Sequence, residues 1–418
     1  MGMMGRQLGR GVAAAGALAL VALSAPGVTP TASAAADPTA NVVPTRVHNP
    51  WLWQATVGQR PAGPAALVFF TDRTRYFEST GVVVARDGAY RLIPIGIGEG
   101  HGLLSPDGRH YLRPQSGELL DLTTGRQSRP MTVGVDALAW SPDGRRVLGT
   151  RSNDDGVITY GPENQQLNDP EKSDDLLVID PFQGAERVVD IGTFTQHTAA
   201  AWSPGGDLIA ATGWPDVPAR FAERQRLVVV DPTGGAPRWQ VDLGDRRILA
   251  GPAAWHPDGR RLALLAFDGC AGPRCTSGQI AARTWRVEFL DAATGQAVGT
   301  ALPAGTSVSG ILGWRGADPV VRYLSDTEQD TDRRATLAAL SPDGRREVLV
   351  TTPGGSTDLI VPGDLLIRAA FGGPEPRPSP FAASLWVYLT LAAPTLLAFV
   401  LVMRRMRRRR IASGPATA

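Results

Sequence analysis

The chain of 418 residues has only two cysteines and five histidines, and both scarcities narrow what it can do. Cys270 and Cys275 lie close together in a Gly/Pro-rich segment, and no second pair supplies the remaining ligands of a structural zinc site. Their spacing suits a loop-stapling disulfide, which is expected if the chain folds in an oxidising compartment; free thiols and redox chemistry are the alternatives. The histidines are scattered, with no H-x-H or H-E-x-x-H spacing. Gly-rich phosphate loops opening onto a helix are missing too. The nearest approach to a G-x-S-x-G nucleophile elbow, Gly305-Thr306-Ser307-Val308-Ser309, lacks its final glycine and any strand–turn–helix context.

Long apolar runs are confined to the two ends. Arg6 and Arg10 precede an uncharged run from Gly11 to Leu23, and small residues then end in Ala32-Ser33-Ala34-Ala35-Ala36. This pattern predicts a signal peptide over residues 1–36, cleaved after Ala34 or Ala36. The run is too short to cross a hydrocarbon core of roughly 30 Å. No cysteine follows it, so lipoprotein attachment is excluded. At the other end, Phe381 to Met403 is 23 residues without a charge. At roughly 1.5 Å per residue it reaches about 35 Å, enough to span. Trp386 and Tyr388 sit near its start, and six arginines between Arg404 and Arg410 follow it. Basic flanks stay inside, so the expected topology is an outside N-terminal domain, a span over 381–403 and a cytoplasmic tail over 404–418. Pro394 removes one helical hydrogen bond, a loss that membrane helices tolerate.

Positive charge is also scarce once the ends are set aside. The formal net charge of +2 includes those six tail arginines and two in the signal peptide; removing these eight leaves −6 for the part outside. Nucleic-acid binding by the folded domain therefore loses its main support.

What the middle of the chain does have is repetition. An apolar strand ends in a Pro/Gly turn at Leu104-Ser105-Pro106-Asp107-Gly108, Trp140-Ser141-Pro142-Asp143-Gly144, Trp202-Ser203-Pro204-Gly205-Gly206 and Trp255-His256-Pro257-Asp258-Gly259, with a degenerate copy at Trp314-Arg315-Gly316. Proline presets the turn, aspartate bonds locally and glycine accepts the exit geometry. A second pattern, a hydrophobic strand closing on D-x-x-x-G, starts at Asp121, Asp180, Asp231 and Asp291. The two alternate in tandem with no helical period between them. This predicts four-stranded antiparallel units, strands A to D, joined by A–B and C–D hairpins.

The W-S-P-D-G turn, the apolar strand after it and the V-V-D-x-x-x-G hairpin resemble the WD40-like repeat of TolB-type six-bladed β-propellers, over residues ~50 to 370. The resemblance implies an all-β fold and is not specific for function. Three departures stand out: the first unit lacks the turn motif, Ser341-Pro342-Asp343-Gly344 falls in a C–D slot, and unit lengths are irregular. Six blades are expected, near residues 51–96, 101–133, 135–191, 198–244, 251–303 and 308–352, with seven as the alternative. Asp358 to Phe371 is expected to pair with the first blade and close the ring, completing a domain over 37–371. Residues 372–380, with four prolines, read as an extended spacer of at most ~28 Å, which holds the domain close to the membrane.

Interval lengths point to a working face. From the strand-A position to the end of strand C the intervals range from 17 to 40 residues, while the onward intervals to the next strand A stay between 19 and 24. Since both hairpin turns are short, the surplus falls in the B–C connections, which share one face with the D–A loops. Elaborated loops on a rigid scaffold are where binding usually resides.

Candidates on that face are of three kinds. Trp214, Arg220, Phe221 and Arg224 in blade 4, and Asp72, Arg75 and Tyr76 in blade 1, combine aromatic and arginine side chains as binding hot spots do. His101 and His197 precede strand A in blades 2 and 4, where local hydrogen bonding competes with a ligand role. Asp154 and Asp155, with Asp326, Glu328, Asp330 and Asp332, are weak Ca²⁺ candidates; a solvated acidic loop is the simpler reading, since neither run has the glycine of an EF-hand. The recurring Trp140, Trp202, Trp255 and Trp314 read as packing between blades. A propeller carrying a serine peptidase needs a further domain of about 200 residues, and no such length remains. The expected function is a non-catalytic, membrane-anchored binding or scaffolding module of the cell envelope with a protein partner and no cofactor. The alternative is an extracellular hydrolase or lyase acting on a glycan or peptide at the channel mouth.

Overall fold

Side-chain hydrogen bonds close the repeated turns. Ser105 Oγ donates to Asp107 Oδ1 at 2.6 Å and accepts from the His110 amide at 2.9 Å. Ser141, Asp143 and the Arg146 amide repeat this arrangement. Where Gly205 replaces the aspartate, Asp207 takes over, accepting from Ser203 Oγ at 2.7 Å. His256 stands in for the serine of the fourth copy, its Nδ1 2.9 Å from Asp258 Oδ1. In the second motif Asp121 Oδ1 accepts from the amides of Thr123 and Thr124, and the Gly125 amide donates to the Asp121 carbonyl at 2.8 Å. Gly125 takes φ of 72°, a left-handed conformation that favours glycine.

These turns make the fold acid-sensitive. Burial pushes the carboxyl groups of Asp107, Asp121, Asp143 and Asp258 up, but hydrogen-bond donors, joined at Asp107, Asp143 and Asp258 by nearby basic side chains, outweigh it and hold each below the usual carboxylate range. A pKa lowered on folding contributes stability above the unfolded value of about 4 and loses it as pH falls through the folded value. The melting temperature should therefore fall as pH drops below about 4, and Asp143→Asn should weaken that dependence. A melt unchanged down to about pH 2.5 would contradict this assignment.

The computed structural model describes residues 42–72, 80–94, 102–113, 116–152, 159–160, 166–167, 174–192, 194–215, 225–271, 275–325 and 333–412. Six four-stranded antiparallel sheets follow one another, so the chain is a six-bladed β-propeller. Blades 2 to 6 begin with strands Leu103–Leu104, Val135–Trp140, Phe194–Trp202, Arg247–Leu249 and Val308–Arg315. Each runs outward in chain order from strand A to strand D. In blade 1, strands Ala65–Thr71 and Thr80–Ala85 are buried at every position, because both faces of the sheet are covered. That double burial turns the alternating pattern of a half-exposed strand into a continuous apolar run.

The core lies between the sheets rather than inside one pair of layers. Its five buried clusters join blades 2 and 3, 3 and 4, 4 to 6, 6 and 1, and 1 and 2, which closes a ring. The repeated tryptophans sit at these junctions. Trp255 Nε1 donates to the Ala201 carbonyl of blade 4 at 3.3 Å, and Trp314 Nε1 to the Ala253 carbonyl of blade 5 at 2.8 Å. Arg146 of blade 3 lies over the Trp202 ring of blade 4, 4.6 Å from its centroid. Trp140 is half-buried and instead meets Phe182 in its own blade, which in turn meets His110 of blade 2.

Ring closure corrects the expected limits of blade 1. Its strand A is the C-terminal strand Ser356–Ile360, paired with Ala65–Thr71 through Val68↔Ile360, Phe69↔Leu359 and Phe70↔Asp358. No covalent A–B turn exists there, which is why the first unit lacks the turn motif. Asp358 also pairs with Arg322 of blade 6, whose Nε donates to Ser309 Oγ at 2.7 Å, tying the seam electrostatically. Ser341 to Gly344 joins strands Ala335–Leu340 and Arg346–Thr351, the C–D position of blade 6.

Residues 51–64, expected at the start of blade 1, are instead part of a strap across the seam. Thr45 accepts from the Thr351 amide at the outer strand of blade 6, and Ala55 and Val57 exchange backbone bonds of 3.0 Å with Leu92 at the outer strand of blade 1. Strand Val42–Pro44 pairs in parallel with Ala370–Gly373, so the first residues of the expected spacer form a strand. The spacer itself is docked. Tyr90 Oη donates to the Pro376 carbonyl at 2.9 Å, and the indole N–H groups of Trp51 and Trp53 donate to the carbonyls of Pro378 and Pro380 at 3.0 and 3.1 Å. Burial pushes the Tyr90 phenol up to about 12, so it stays a donor at any physiological pH. Proline lacks an N–H but keeps its carbonyl, and here side-chain donors take those carbonyls.

Three helices complete the described chain. Helix α1 (Ser277–Ala281) lies in a blade 5 loop, α2 (Gly363–Arg368) packs on strand A of blade 6, and α3 (Leu385–Ala412) carries the C-terminal apolar segment with Pro394 inside it. Residues Trp386–Met406 are long and apolar enough to cross a membrane, and none of the apolar window is buried against the protein. The helix starts four residues after Phe381 because Ala382 to Ser384 are held in backbone pairing with Trp53 to Ala55.

Candidate functional site

Antiparallel alternation carries every B–C and D–A connection to one face of the propeller, and the extra length of the chain is found there. The blade 2 B–C connection runs only from Leu112 to Leu119. Blade 3 runs from Ser152 to Asp174 and encloses a small hairpin of Thr159–Tyr160 with Gln166–Leu167. The blade 5 connection runs from Asp268 to Thr284.

This last loop is built to hold its shape. Cys270 and Cys275 are bonded, with Cα atoms 5.9 Å apart. A capping box starts α1, in which Thr276 Oγ1 accepts from the Gln279 amide and Gln279 Oε1 accepts from the Thr276 amide. Arg283 Nε donates to the Cys270 carbonyl at 2.8 Å, and its guanidinium lies 4.1 Å from the Phe267 ring centroid, with Trp285 on that ring. Burial lowers the Arg283 pKa from its usual value, the expected effect of seating a cation against an aromatic face. A loop closed over a sequence separation of 5 gains at most about 2 kcal/mol from its disulfide. Cys270→Ser/Cys275→Ser should therefore lower global stability by no more than about 2 kcal/mol while opening this loop to proteolysis. Unchanged protease resistance would show that Arg283 and the capping box suffice.

Arginine–carboxylate groups flank the loop bases. Glu118 receives Arg113 at 2.9 Å and Arg129 beside the blade 2 turn. Arg151 bonds Glu186 at 2.9 Å in blade 3. In blade 5, Arg286 joins Glu288 at 2.7 Å and Asp268 at 2.9 Å, while Arg247 adds to Glu288 at 2.8 Å. The Glu288 hydrogen bond, against modest burial, raises the Arg286 pKa further. Sequence reasoning missed these groups because most of their pairings cross strands, as Arg247 with Glu288 and Arg286 with Asp268 do, although Arg286 and Glu288 lie two residues apart on one strand. The blade 3 pair and the blade 5 group balance their charges, while Glu118 with two arginines leaves a net +1, so the loop bases are polar without a strong field of one sign.

Two predicted residues come together. Trp214, half-buried, pairs with Gln196, and His197 pairs with Gly213, so both occupy the B–C end of the inner strands of blade 4. Asp72 is exposed at the equivalent end of blade 1, its amide bonded to the Gly355 carbonyl at 3.2 Å. Arg75, Tyr76, His101, Arg220, Phe221 and Arg224 lie outside the described residues, as do the calcium candidates Asp154, Asp155, Asp326, Glu328, Asp330 and Asp332. Among the described residues no group of three or more His, Cys, Asp or Glu side chains is arranged to hold a metal ion.

Fold and site together define a six-bladed propeller with one elaborated loop face and one C-terminal apolar helix. No protein-family model matches the chain, and no curated protein matches it. Solved structures similar to it include the Kuenenia stuttgartiensis hydrazine synthase (13% identity, 71% of this chain and 88% of that one, TM-score 0.43). Another is a putative TolB from Agrobacterium tumefaciens (17%, 55% and 75%, TM-score 0.34). An oligogalacturonate lyase in complex with manganese is also similar (16%, 72% and 77%, TM-score 0.40). The fold assignment rests on the strand pairing of this chain.

Proposed function

We propose that this chain is a single-pass envelope protein whose propeller lies outside the cell membrane and acts as a non-catalytic binding or scaffolding module. A leader-like pattern over residues 1–36, a segment within Trp386–Met406 long and apolar enough to span, and a basic tail after it support that topology. The partner is a protein or other envelope component, and nucleic acid is not one. One observation carries the reading: the two longest connections between blade strands, in blades 3 and 5, are both B–C loops, and the blade 5 loop is fastened by a disulfide, a capping box and a stacked arginine. Rigid loops lose little entropy on binding, which favours recognition.

Affinity capture with the full chain in detergent tests it. Replacing residues 153–173, 216–224 and 269–283 with short turns should abolish recovery of partners that the intact chain retains. Identical partners from both forms would place the working surface elsewhere.

A further inference from the structure

The spacer, strap and apolar helix meet at one place, and that place is lined with exposed aromatic side chains. The Ser384 amide donates to the Trp53 carbonyl at 2.7 Å, and the helix begins at the next residue. Ala382 accepts from the Ala55 amide at 2.8 Å and from Gln54 Nε2 at 3.1 Å, and Gln54 is buried. Strap residues Ala55 and Val57 are in turn bonded to Leu92 of the outer strand of blade 1. Slack between propeller and helix is therefore absent at this junction, and the helix start moves with the rim of blade 1.

Around the junction Trp51 is 42% exposed, Leu52 60%, Phe381 82%, Trp386 57% and Tyr388 41%. The Trp51 and Trp53 rings stack with centroids 5.0 Å apart and 15° between planes. Tyr388 Oη donates to the Phe381 carbonyl, which bends the turn back onto the first helical residues. On the blades, by contrast, exposed large apolar residues such as Val133, Phe182 and Val348 lie on different blades. Scattered single residues need no partner, but a cluster that continues an apolar helix does.

We infer that Trp51, Leu52 and Phe381 insert into the headgroup–acyl boundary of the bilayer that α3 spans, so the propeller rests on the membrane through the rim of blade 1. This rests on the membrane-anchor reading above. The start of a spanning helix lies at the interface, where tryptophan and tyrosine rings are favoured, and side chains pinned beside that start share its depth. The consequence is a fixed orientation: the propeller cannot swing on a free tether, and its loop face meets partners at a constant angle.

Depth-dependent quenching of the full chain in phosphatidylcholine vesicles tests the inference. Both native cysteines are bonded to each other, so Leu52→Cys, Phe381→Cys, Leu396→Cys or Val133→Cys each adds one site for an environment-sensitive fluorophore. Labels at 52 and 381 should be quenched by shallow nitroxide lipids at least about twofold more than the label at 133, and the label at 396 by deep ones. Quenching at 52 and 381 no greater than at 133, with 396 quenched, overturns the inference and leaves the anchor standing. If 396 is also unquenched, the anchor reading fails and the inference falls with it.

Discussion

Leu359→Asp should abolish the folded propeller, giving aggregated or degraded chain where the parent gives soluble domain in detergent. Leu359 is fully buried in the strand that the C-terminal region donates to blade 1, opposite Phe69. An unpaired carboxylate there costs several kcal/mol, and a whole domain is stable by only about 5–15 kcal/mol. The ring gives the change its reach: losing this strand uncovers Ala65–Thr71 and the cluster that joins blades 6 and 1. Val348→Asp, on the exposed outer strand of blade 6, is the matched control and should shift stability by no more than about 0.5 kcal/mol. Comparable yields and melting curves for the two variants would mean that the seam is not closed by this strand.

Trp314→Ala should cost about 3–5 kcal/mol, read as a shift in the denaturant midpoint with the slope unchanged. The side chain is buried between blades 5 and 6, touches His256 edge-on with centroids 4.8 Å apart, and donates to the Ala253 carbonyl. Trp314→Phe keeps most of the packing but leaves that carbonyl without its donor, a loss of about 1–3 kcal/mol beyond the volume change. If the alanine variant lost less than about 1 kcal/mol, the repeated tryptophans would be dispensable to the blade junctions.

The repeat was legible because its turns are local chemistry. An aspartate and a glycine within five residues, with a serine or threonine beside them, specify a hairpin wherever they fall, so Ser105 to Gly108 and Asp121 to Gly125 announced their blades directly. In blade 1 the closing strand was expected from Asp358 onward and is found at Ser356–Ile360, but the start of the blade was misplaced, since no turn chemistry marks a pairing such as Ile360 with Val68. Residues 51–64, placed at the start of that blade, instead bond to Leu92 in its outer strand, to Leu122 after the third strand of blade 2 and to Ala382.

The docked spacer was hidden for a related reason. Four prolines in residues 372–380 correctly imply an extended backbone, but composition does not reveal that Trp51 and Trp53 supply donors across 327 residues. For the candidate face, interval lengths located the loops. They did not reveal the charge networks at the loop bases, whose partners, such as Arg247 and Glu288, belong to different strands. Trp214 and His197 were both expected on this face of blade 4, and strand register adds that they stand at neighbouring positions of its two inner strands.

The central claim is that one face works and the other only holds the blades together. Photo-crosslinking residues placed singly in intact cells test it most directly, at Asp72 and Ser152 beside the B–C loops and at Pro142, Pro204 and Pro257 on the opposite turns, all exposed. The account predicts discrete adducts with a partner from the first two positions and none from the three turn positions. Adducts arising from the turns, with the loop positions silent, would contradict it.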